Sequence, residues 1–144
     1  SDEGMGYLDG DTTICKQTFN AAMVAAGSVT HAVDLVCMKK VRNAFCPIRP
    51  PGHHAGPKGV VKLDDGGGPD SHGFCILNNI SIGSAYAMNQ YRAFVKKVAI
   101  VDFDVHHGNG TEETVRWLRP AVESVEIHNE CFFGVAQAPR YKPW

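Results

Sequence analysis

Residues 98–111 read Val-Ala-Ile-Val-Asp-Phe-Asp-Val-His-His-Gly-Asn-Gly-Thr, and this stretch decides the fold class. Its first four residues are apolar and mostly β-branched, which is typical of a central parallel strand that is covered on both faces. The polar residues that follow predict a loop, and Thr111 is expected to cap a helix with Glu112 and Glu113 in its first turn. A strand, a loop and a helix in this order favour a parallel α/β sheet.

The segments before and after this stretch continue the alternation of helices and strands, which favours the same parallel α/β class. The spacing of apolar residues predicts a helix over about residues 18–39, a strand at 43–46, a helix over 79–91 and a strand that includes residues 125 and 127. Residues 1–12 and the Pro- and Gly-rich segment 49–73 are expected to form loops. Long loops inside compact domains are usually functional.

The composition excludes several classes of protein. The chain has 144 residues, of which 44% are hydrophobic and 20% are charged, with a formal net charge of −1. This length suits one domain, and no apolar run long enough to span a membrane is evident. The charge argues against direct nucleic-acid binding through broad phosphate contact. The five cysteines show no Cys-x-x-Cys spacing, which predicts free thiols in a reducing compartment.

The loop after the strand at 98–101 carries residues that suit a metal ion. Asp104 and His106 alternate along the chain, so both side chains can converge on one point. A carboxylate oxygen and an imidazole nitrogen are ligands that zinc accepts. Asp102 lies two residues before Asp104, so its side chain is expected on the same side and closer to the strand. This makes Asp102 a candidate to orient a ligand or to bind a second ion. Four ionisable groups within six residues would be costly to bury without a function.

A second polar loop contains the adjacent histidines His53 and His54. Adjacent side chains point in different directions, so the pair suits proton transfer beside a metal-bound water better than joint ligation of one ion. Each imidazole needs an acceptor on its far nitrogen, and the other loop offers Asp102 and Asn109. A charged acceptor raises the basicity of its histidine more than a neutral amide does. The two imidazoles are therefore expected to differ in protonation at one pH.

Three motifs together resemble the zinc-dependent histone deacetylase family. They lie at residues 49–55 (Arg-Pro-Pro-Gly-His-His-Ala), 73–79 (Gly-Phe-Cys-Ile-Leu-Asn-Asn) and 102–111. Asn109 stands where the class I enzymes carry Asp, so the chain resembles class II members. The long loop over residues 56–71 is similar to that of plant and protist class II enzymes.

The resemblance implies a parallel-sheet, three-layer α/β/α fold of the arginase/deacetylase type, of which the chain holds the first part. It also implies roles for individual residues. Asp104 and His106 are two of three zinc ligands, and His53 and His54 are the acid–base pair, backed by Asp102 and Asn109. Asp102, with the backbone carbonyls of Asp104 and His106, surrounds a structural potassium ion. The resemblance implies further substrate contacts, namely a channel wall at Phe74, a carbonyl that accepts from the substrate amide at Gly73, and a rim carboxylate at Asp11.

The implied activity is zinc-dependent hydrolysis of acetyl-lysine amides in histones or other proteins, with release of acetate. The implied partners are acetylated histone tails or other acetyl-lysine proteins and a corepressor complex, in the nucleus, the cytoplasm or both, with a role in chromatin and transcription regulation. No direct contact with nucleic acid or a membrane is expected.

The family's third zinc ligand and its oxyanion tyrosine belong to motifs that these 144 residues do not contain. We therefore expect residues 1–144 to be the N-terminal portion of a catalytic domain, incomplete for catalysis by itself.

Two other functions remain open from the motifs, an amidohydrolase of the acetylpolyamine type and a non-catalytic module for acyl-lysine or corepressor binding. An arginase-like binuclear hydrolase needs a carboxylate two positions after His106, where this chain has Gly108. A nucleotide-binding domain is not favoured, because no glycine-rich phosphate loop follows a strand.

Overall fold

The computed structural model describes residues 4–61, 71–118, 126–128 and 131–137. The helices in these residues are α1 (Thr18–Cys37), α2 (Asn79–Gln90) and α3 (Asn109–Leu118). The strands are β1 (Gly6–Tyr7), β2 (Thr13–Ile14), β3 (Ala55–Gly56), β4 (Gly59–Val60), β5 (Lys97–Asp102), β6 (Glu126–His128) and β7 (Cys131–Gln137). The predicted helices at 18–39 and 79–91 and the predicted strands at 98–101 and near 125–127 are thus confirmed to within a few residues.

The described strands pair in three small sheets, and each pairing is antiparallel. β1 pairs with β2, β3 pairs with β4, and a three-stranded sheet has the order β5-β7-β6. The predicted parallel three-layer arrangement is therefore not confirmed by the described residues. The strand that pairs with β5 is β7, which runs antiparallel both to β5 and to β6.

Helices α1 and α2 pack closely because small residues line their contact. Ala22, Ala25 and Ala26 are the buried residues of α1. A Cβ atom placed on Gly83 of α2 would lie 2.5 Å from a methyl carbon of Val29, so a larger residue there would push the helices apart. At the other end of this contact, Asp34 of α1 accepts hydrogen bonds from the hydroxyl groups of Tyr86 and Tyr91.

Helix α1 is long and apolar enough, by length and composition, to cross a membrane, with 20 residues and a mean hydropathy of 1.2. Apolar helices that pack inside folded domains meet the same criterion. In this structure α1 packs against α2. The expectation that the chain does not contact a membrane stays a prediction.

Two local predictions are wrong. Residues 43–46 form no strand, because this extended segment has no strand paired beside it in the described residues. Thr111 does not cap α3, since the helix already begins at Asn109. Thr111 is instead fully buried, where its backbone N–H donates to the carbonyl of His53 and its hydroxyl accepts from the Asn78 side chain. Thr111 therefore joins the start of α3 to the loop that contains His53, instead of capping the helix.

A small apolar cluster holds the start of the candidate site in place. Ile100 of β5 and Val115 of α3 are both buried and pack together, with Val98 beside them. Because these residues lie on either side of the loop over residues 103–108, their contact sets how the end of β5 faces the start of α3. The polar residues of the 102–109 segment are thereby held between two packed elements.

Candidate active site

Two loops meet at the carboxyl end of β5, and glycines allow their close approach. A Cβ atom on Gly108 would lie 2.5 Å from Asp102 Oδ2 and 3.2 Å from His53 Nδ1. A Cβ atom on Gly110 would lie 2.5 Å from the carbonyl carbon of Ala55. Side chains at these positions would separate the loops, which explains glycine on both sides of Asn109. The structure thus brings residues 53–55 against residues 102–110.

His53 is held by a carboxylate. Its Nδ1–H donates to Asp102 Oδ2 at 2.9 Å, and both side chains are mostly buried, with exposed fractions of 17% and 16%. The hydrogen bond to Asp102 raises the pKa of His53 above its ordinary value, and it outweighs burial, which acts in the opposite direction. The same contact lowers the pKa of Asp102. The pair is therefore stabilised as an imidazolium and a carboxylate.

His54 is held by a neutral amide. Its Nδ1–H donates to Asn109 Oδ1 at 2.7 Å, which leaves Nε2 free of a proton in the neutral ring. Burial lowers the pKa of His54, and the nearby imidazoles of His53 and His106 lower it further, whereas the hydrogen bond to Asn109 raises it. The two pKa shifts thus have opposite signs, although the imidazole centroids are only 4.1 Å apart. This matches the difference in protonation that the two acceptors predict.

Asp104 and His106 face each other beside the histidine pair. Asp104 Oδ1 lies 3.1 Å from His106 Nδ1 and accepts the backbone N–H of His106 at 2.7 Å, which lowers the pKa of the carboxyl. Both side chains are open to solvent, with exposed fractions of 49% and 73%. The His106 ring centroid lies 6.1 Å from that of His54. Among the described residues, no cluster of three or more possible ligands forms around this pair.

The structure places the three candidate substrate contacts in two neighbouring cavities. Gly73 lines a cavity of about 270 Å³ together with His54, His106 and Asn109. Phe74 and Asp11 line a second cavity of about 410 Å³. Gly73 contacts His54 so closely that a Cβ atom on Gly73 would lie 2.2 Å from the imidazole.

Sequence reasoning missed several residues that support the site. Hydrogen bonds join the loop that contains Asp9 and Thr12 to the segment that begins at Ser71, and they hold Gly73 and Phe74 in place. The pattern Asp9-Gly-Asp-Thr12 is a signal that could have found the first two, because Asp accepts from the backbone two and three residues later in such turns. Their contacts with residues 71–74 had no signal in the sequence.

We expect replacement of Asp102 by Asn to lower the pKa of His53, because the charge leaves while burial remains. In the wild type, the folded pKa of His53 lies above the unfolded value of about 6.5. Protonation of His53 therefore stabilises the fold below about pH 6.5, and this contribution is lost as the pH rises through the folded pKa. NMR titration of the imidazole protons in metal-free protein measures the shift.

The matched control is Asn109→Asp, which should raise the pKa of His54 because it adds the charge that the first variant removes. An unchanged His53 pKa in the Asp102→Asn variant would contradict the pairing seen in the structure. The free energy of unfolding should change differently between pH 5 and pH 8 in the wild type and in the Asp102→Asn variant. The same change in both proteins would contradict the link between His53 protonation and stability.

Comparison with known proteins identifies the family of this chain. The histone deacetylase domain family matches residues 1–140. Type-2 histone deacetylase 1 of Dictyostelium discoideum is 49% identical over 113 residues, which cover 78% of this chain and 7% of that protein. Type-2 histone deacetylase 2 of the same organism is 48% identical over 103 residues, which cover 72% of this chain and 6% of that protein. The chain thus spans less than a tenth of the length of these two relatives.

A solved structure agrees with these relatives. The crystal structure of the HDA15 HD domain superposes with a TM-score of 0.64 at 37% identity, over 78% of this chain and 28% of that one. The fold is therefore that of the histone deacetylase domain, and both the resemblance to this family and the similarity to its type-2 members are confirmed. By sequence and by fold, the chain belongs to the histone deacetylase family.

Proposed function

We propose that the chain supplies the acid–base pair and two zinc ligands of a zinc-dependent lysine deacetylase. The observation that carries this proposal is the histidine pair with unlike acceptors. His53 and His54 lie 4.1 Å apart between ring centroids, one bonded to a carboxylate and the other to an amide, beside Asp104 and His106. A deacetylase needs groups that accept and donate protons next to a metal, and this arrangement offers both.

The donor set of Asp104 and His106 fits zinc. The carboxylate oxygen and the imidazole nitrogen are donor types that zinc prefers, and the 3.1 Å between them lets both contact one ion. Their exposed side chains leave room for water and substrate. Catalytic zinc sites use three protein ligands, so the third donor comes from outside the described residues. When bound, zinc supplies a Lewis acid that polarises the acetyl carbonyl and the attacking water and stabilises the oxyanion.

The two histidines divide the proton transfers between them. His54 accepts the proton of the attacking water at Nε2, because Asn109 engages Nδ1 and the low pKa keeps the ring neutral. His53, whose protonated form is stabilised by Asp102, donates a proton to the departing lysine amine, which is a poor leaving group without one. Differential tuning of two neighbouring groups is how enzymes run acid and base chemistry at one pH.

Residues around the histidines bind the substrate and order the loop. Phe74 forms a wall of the channel for the acetyl-lysine methylenes, and the Gly73 carbonyl accepts from the substrate amide. Asp11 at the rim contacts the substrate backbone. If a structural potassium ion binds, Asp102 and the backbone carbonyls of Asp104 and His106 would hold it. The support is that Gly73 adjoins His54 in one cavity, while Phe74 and Asp11 share the next.

The substrates we propose are acetylated histone tails or other acetyl-lysine proteins. The relatives named type-2 histone deacetylases support this choice. We also propose action in the nucleus, the cytoplasm or both, association with a corepressor complex and a role in transcription regulation. Direct binding to nucleic acid is not proposed, since the net charge of −1 gives little attraction to phosphates.

The experiment that tests the function is a hydrolysis assay on the polypeptide in which this chain occurs, loaded with zinc. We expect acetate release from acetyl-lysine peptides, loss of activity on chelation and its recovery when zinc is restored. An acetylated polyamine is the competing substrate. A higher kcat/KM for the polyamine than for each acetyl-lysine peptide would overturn the choice of substrate, and activity unaffected by chelation would overturn the metal.

A further inference from the structure

The turn over residues 72–75 has a backbone that needs support from elsewhere. Gly73 and Phe74 both have positive φ angles, of +50° and +65°. Phenylalanine rarely adopts this left-handed conformation, since its Cβ atom crowds the backbone. The turn has one backbone hydrogen bond of its own, in which the N–H of Cys75 donates to the carbonyl of His72. Other contacts must therefore hold Gly73 against His54.

A single carboxylate provides much of that support. Asp9 Oδ1 accepts the backbone N–H groups of Asp11 at 3.1 Å and of Thr12 at 2.8 Å. Asp9 Oδ2 accepts the backbone N–H of His72, which is 63 residues away in the chain. The hydrogen bonds from His72, Asp11 and Thr12 keep the pKa of Asp9 well below its usual range, against the opposing effect of burial. The carboxylate is therefore ionised and joins the two loops.

Two further contacts run parallel to this bridge. The backbone N–H of Phe74 donates to Thr12 Oγ1 at 3.1 Å, and Thr12 is almost fully buried. Ser71 Oγ donates to Asp11, at 2.9 and 3.0 Å from its two carboxylate oxygens. Asp9 differs from these residues because its hydrogen bonds also stabilise the 8–12 loop itself. That loop places Thr12 and Asp11 beside the turn. Loss of Asp9 should weaken the whole connection.

We propose that Asp9 is a positioning residue, whose carboxylate joins the 8–12 loop to the 72–75 turn and so sets where Gly73 and Phe74 stand beside His54. Asp9 lines neither of the cavities that contain the candidate substrate contacts and touches no proposed reacting group. It acts through the loop and the turn that it joins. The inference deepens the proposed function, on which its catalytic consequence rests.

The isosteric substitution Asp9→Asn distinguishes two roles for Asp9. In one role it joins the 8–12 loop to the 72–75 turn, and in the other it only stabilises its own loop. An Asn side chain has one acceptor oxygen and one NH₂ group that can only donate. If its oxygen faces the N–H groups of Asp11 and Thr12, its NH₂ group faces the N–H of His72, and two donors cannot bond. This orientation keeps two of the three hydrogen bonds and the reverse orientation keeps one, so we expect the 8–12 loop to stay folded in this variant while the bond to His72 is lost.

Amide hydrogen exchange measures both sides of the carboxylate in one experiment. We expect the His72 amide of Asp9→Asn to exchange roughly 10–100-fold faster than in the wild type, as for loss of a bond to a charged group. The Thr12 amide should stay within about threefold, which also shows that the variant folds. The control is Asp34→Asn, the same chemical change between α1 and α2, which should leave the His72 amide unchanged.

Equal His72 exchange in the wild type and Asp9→Asn would overturn the proposal. So would equal acceleration at Thr12 and His72, because Asp9 would then only fold its own loop. These outcomes do not depend on catalysis, so they are distinct from failure of the proposed function, which is absence of acetyl-lysine hydrolysis by the wild type.

In the active polypeptide, we expect Asp9→Asn to raise KM for an acetyl-lysine peptide about 10-fold, with kcat within about threefold. This split follows because the substitution displaces the channel wall while the histidine pair keeps its acceptors. A variant with a lower kcat at unchanged KM would contradict a positioning role at the channel.

Discussion

Replacement of His54 by Ala should lower kcat/KM for an acetyl-lysine peptide by about 10²–10⁴-fold, the usual contribution of a general base. His54 is the member of the pair whose pKa is lowered, so it is neutral and able to accept a proton near pH 7. Its Nδ1 is committed to Asn109, which leaves Nε2 as the nitrogen that accepts the proton in the proposed reaction. The loss should appear mainly in kcat, because the substrate contacts lie on other residues.

The matched control for this variant is His31→Ala, which removes an exposed imidazole from α1, away from the site. That variant should keep kcat within about twofold of the wild type. Activity of the His54 variant above about one third of the wild-type value would contradict the assignment of the base. Thermal unfolding of both variants shows whether either loss reflects unfolding rather than chemistry.

Replacement of Asp104 or His106 by Ala should weaken zinc binding by more than about 100-fold. Loss of residues that only orient a ligand already weakens metal binding roughly 10–100-fold, and these two residues would contact the ion themselves. Competition with a chromophoric chelator measures the zinc affinity directly, without an activity assay. Deacetylation at limiting zinc should fall in parallel.

The control for the metal experiment is Glu113→Gln, which changes a carboxylate on α3 that neighbours Gly56 and not the proposed ligands. Its zinc affinity should stay within about threefold of the wild type. If Asp104→Ala and Glu113→Gln bind zinc equally well, the proposed ligand pair is wrong. If both ligand variants bind normally but are inactive, the two residues act on the substrate and not on the metal.

That the two histidines take Asp102 and Asn109 as acceptors could be predicted from the residues, whereas the resemblance to the family implied which histidine takes which. The chain after the predicted strand offers Asp102 and Asn109 as acceptors, and adjacent imidazoles point in different directions, so each needs its own partner. The pairs His53–Asp102 and His54–Asn109 are separated by 49 and 55 residues, yet two polar loops at one edge of a sheet leave few other acceptors. The difference in their pKa shifts then follows from the charge of each acceptor.

The strand order and the support of the 72–75 turn could not be predicted in this way. Whether β5 pairs with β7 or with the 43–46 segment depends on packing across the whole domain, and an extended apolar stretch looks the same in both cases. The bond from His72 to Asp9 depends on a backbone N–H, which carries no information about residue type. The predicted capping role of Thr111 is wrong for a similar reason, because its buried partners are the His53 carbonyl and the Asn78 amide, both distant in sequence.

The loop between β5 and α3 has a consequence for how the site is lost when the protein opens. Asp102 ends the strand and Asn109 begins the helix, so the two acceptors stand at the two ends of one short connection. The backbone bond from Thr111 to His53 ties the same helix turn to the histidine loop. Fraying of the first turn of α3 therefore releases the His54 imidazole and loosens the backbone of His53, whereas Asp102 at the end of β5 still holds the His53 imidazole. Partial opening at the helix end therefore frees the proposed base while the proposed acid stays oriented.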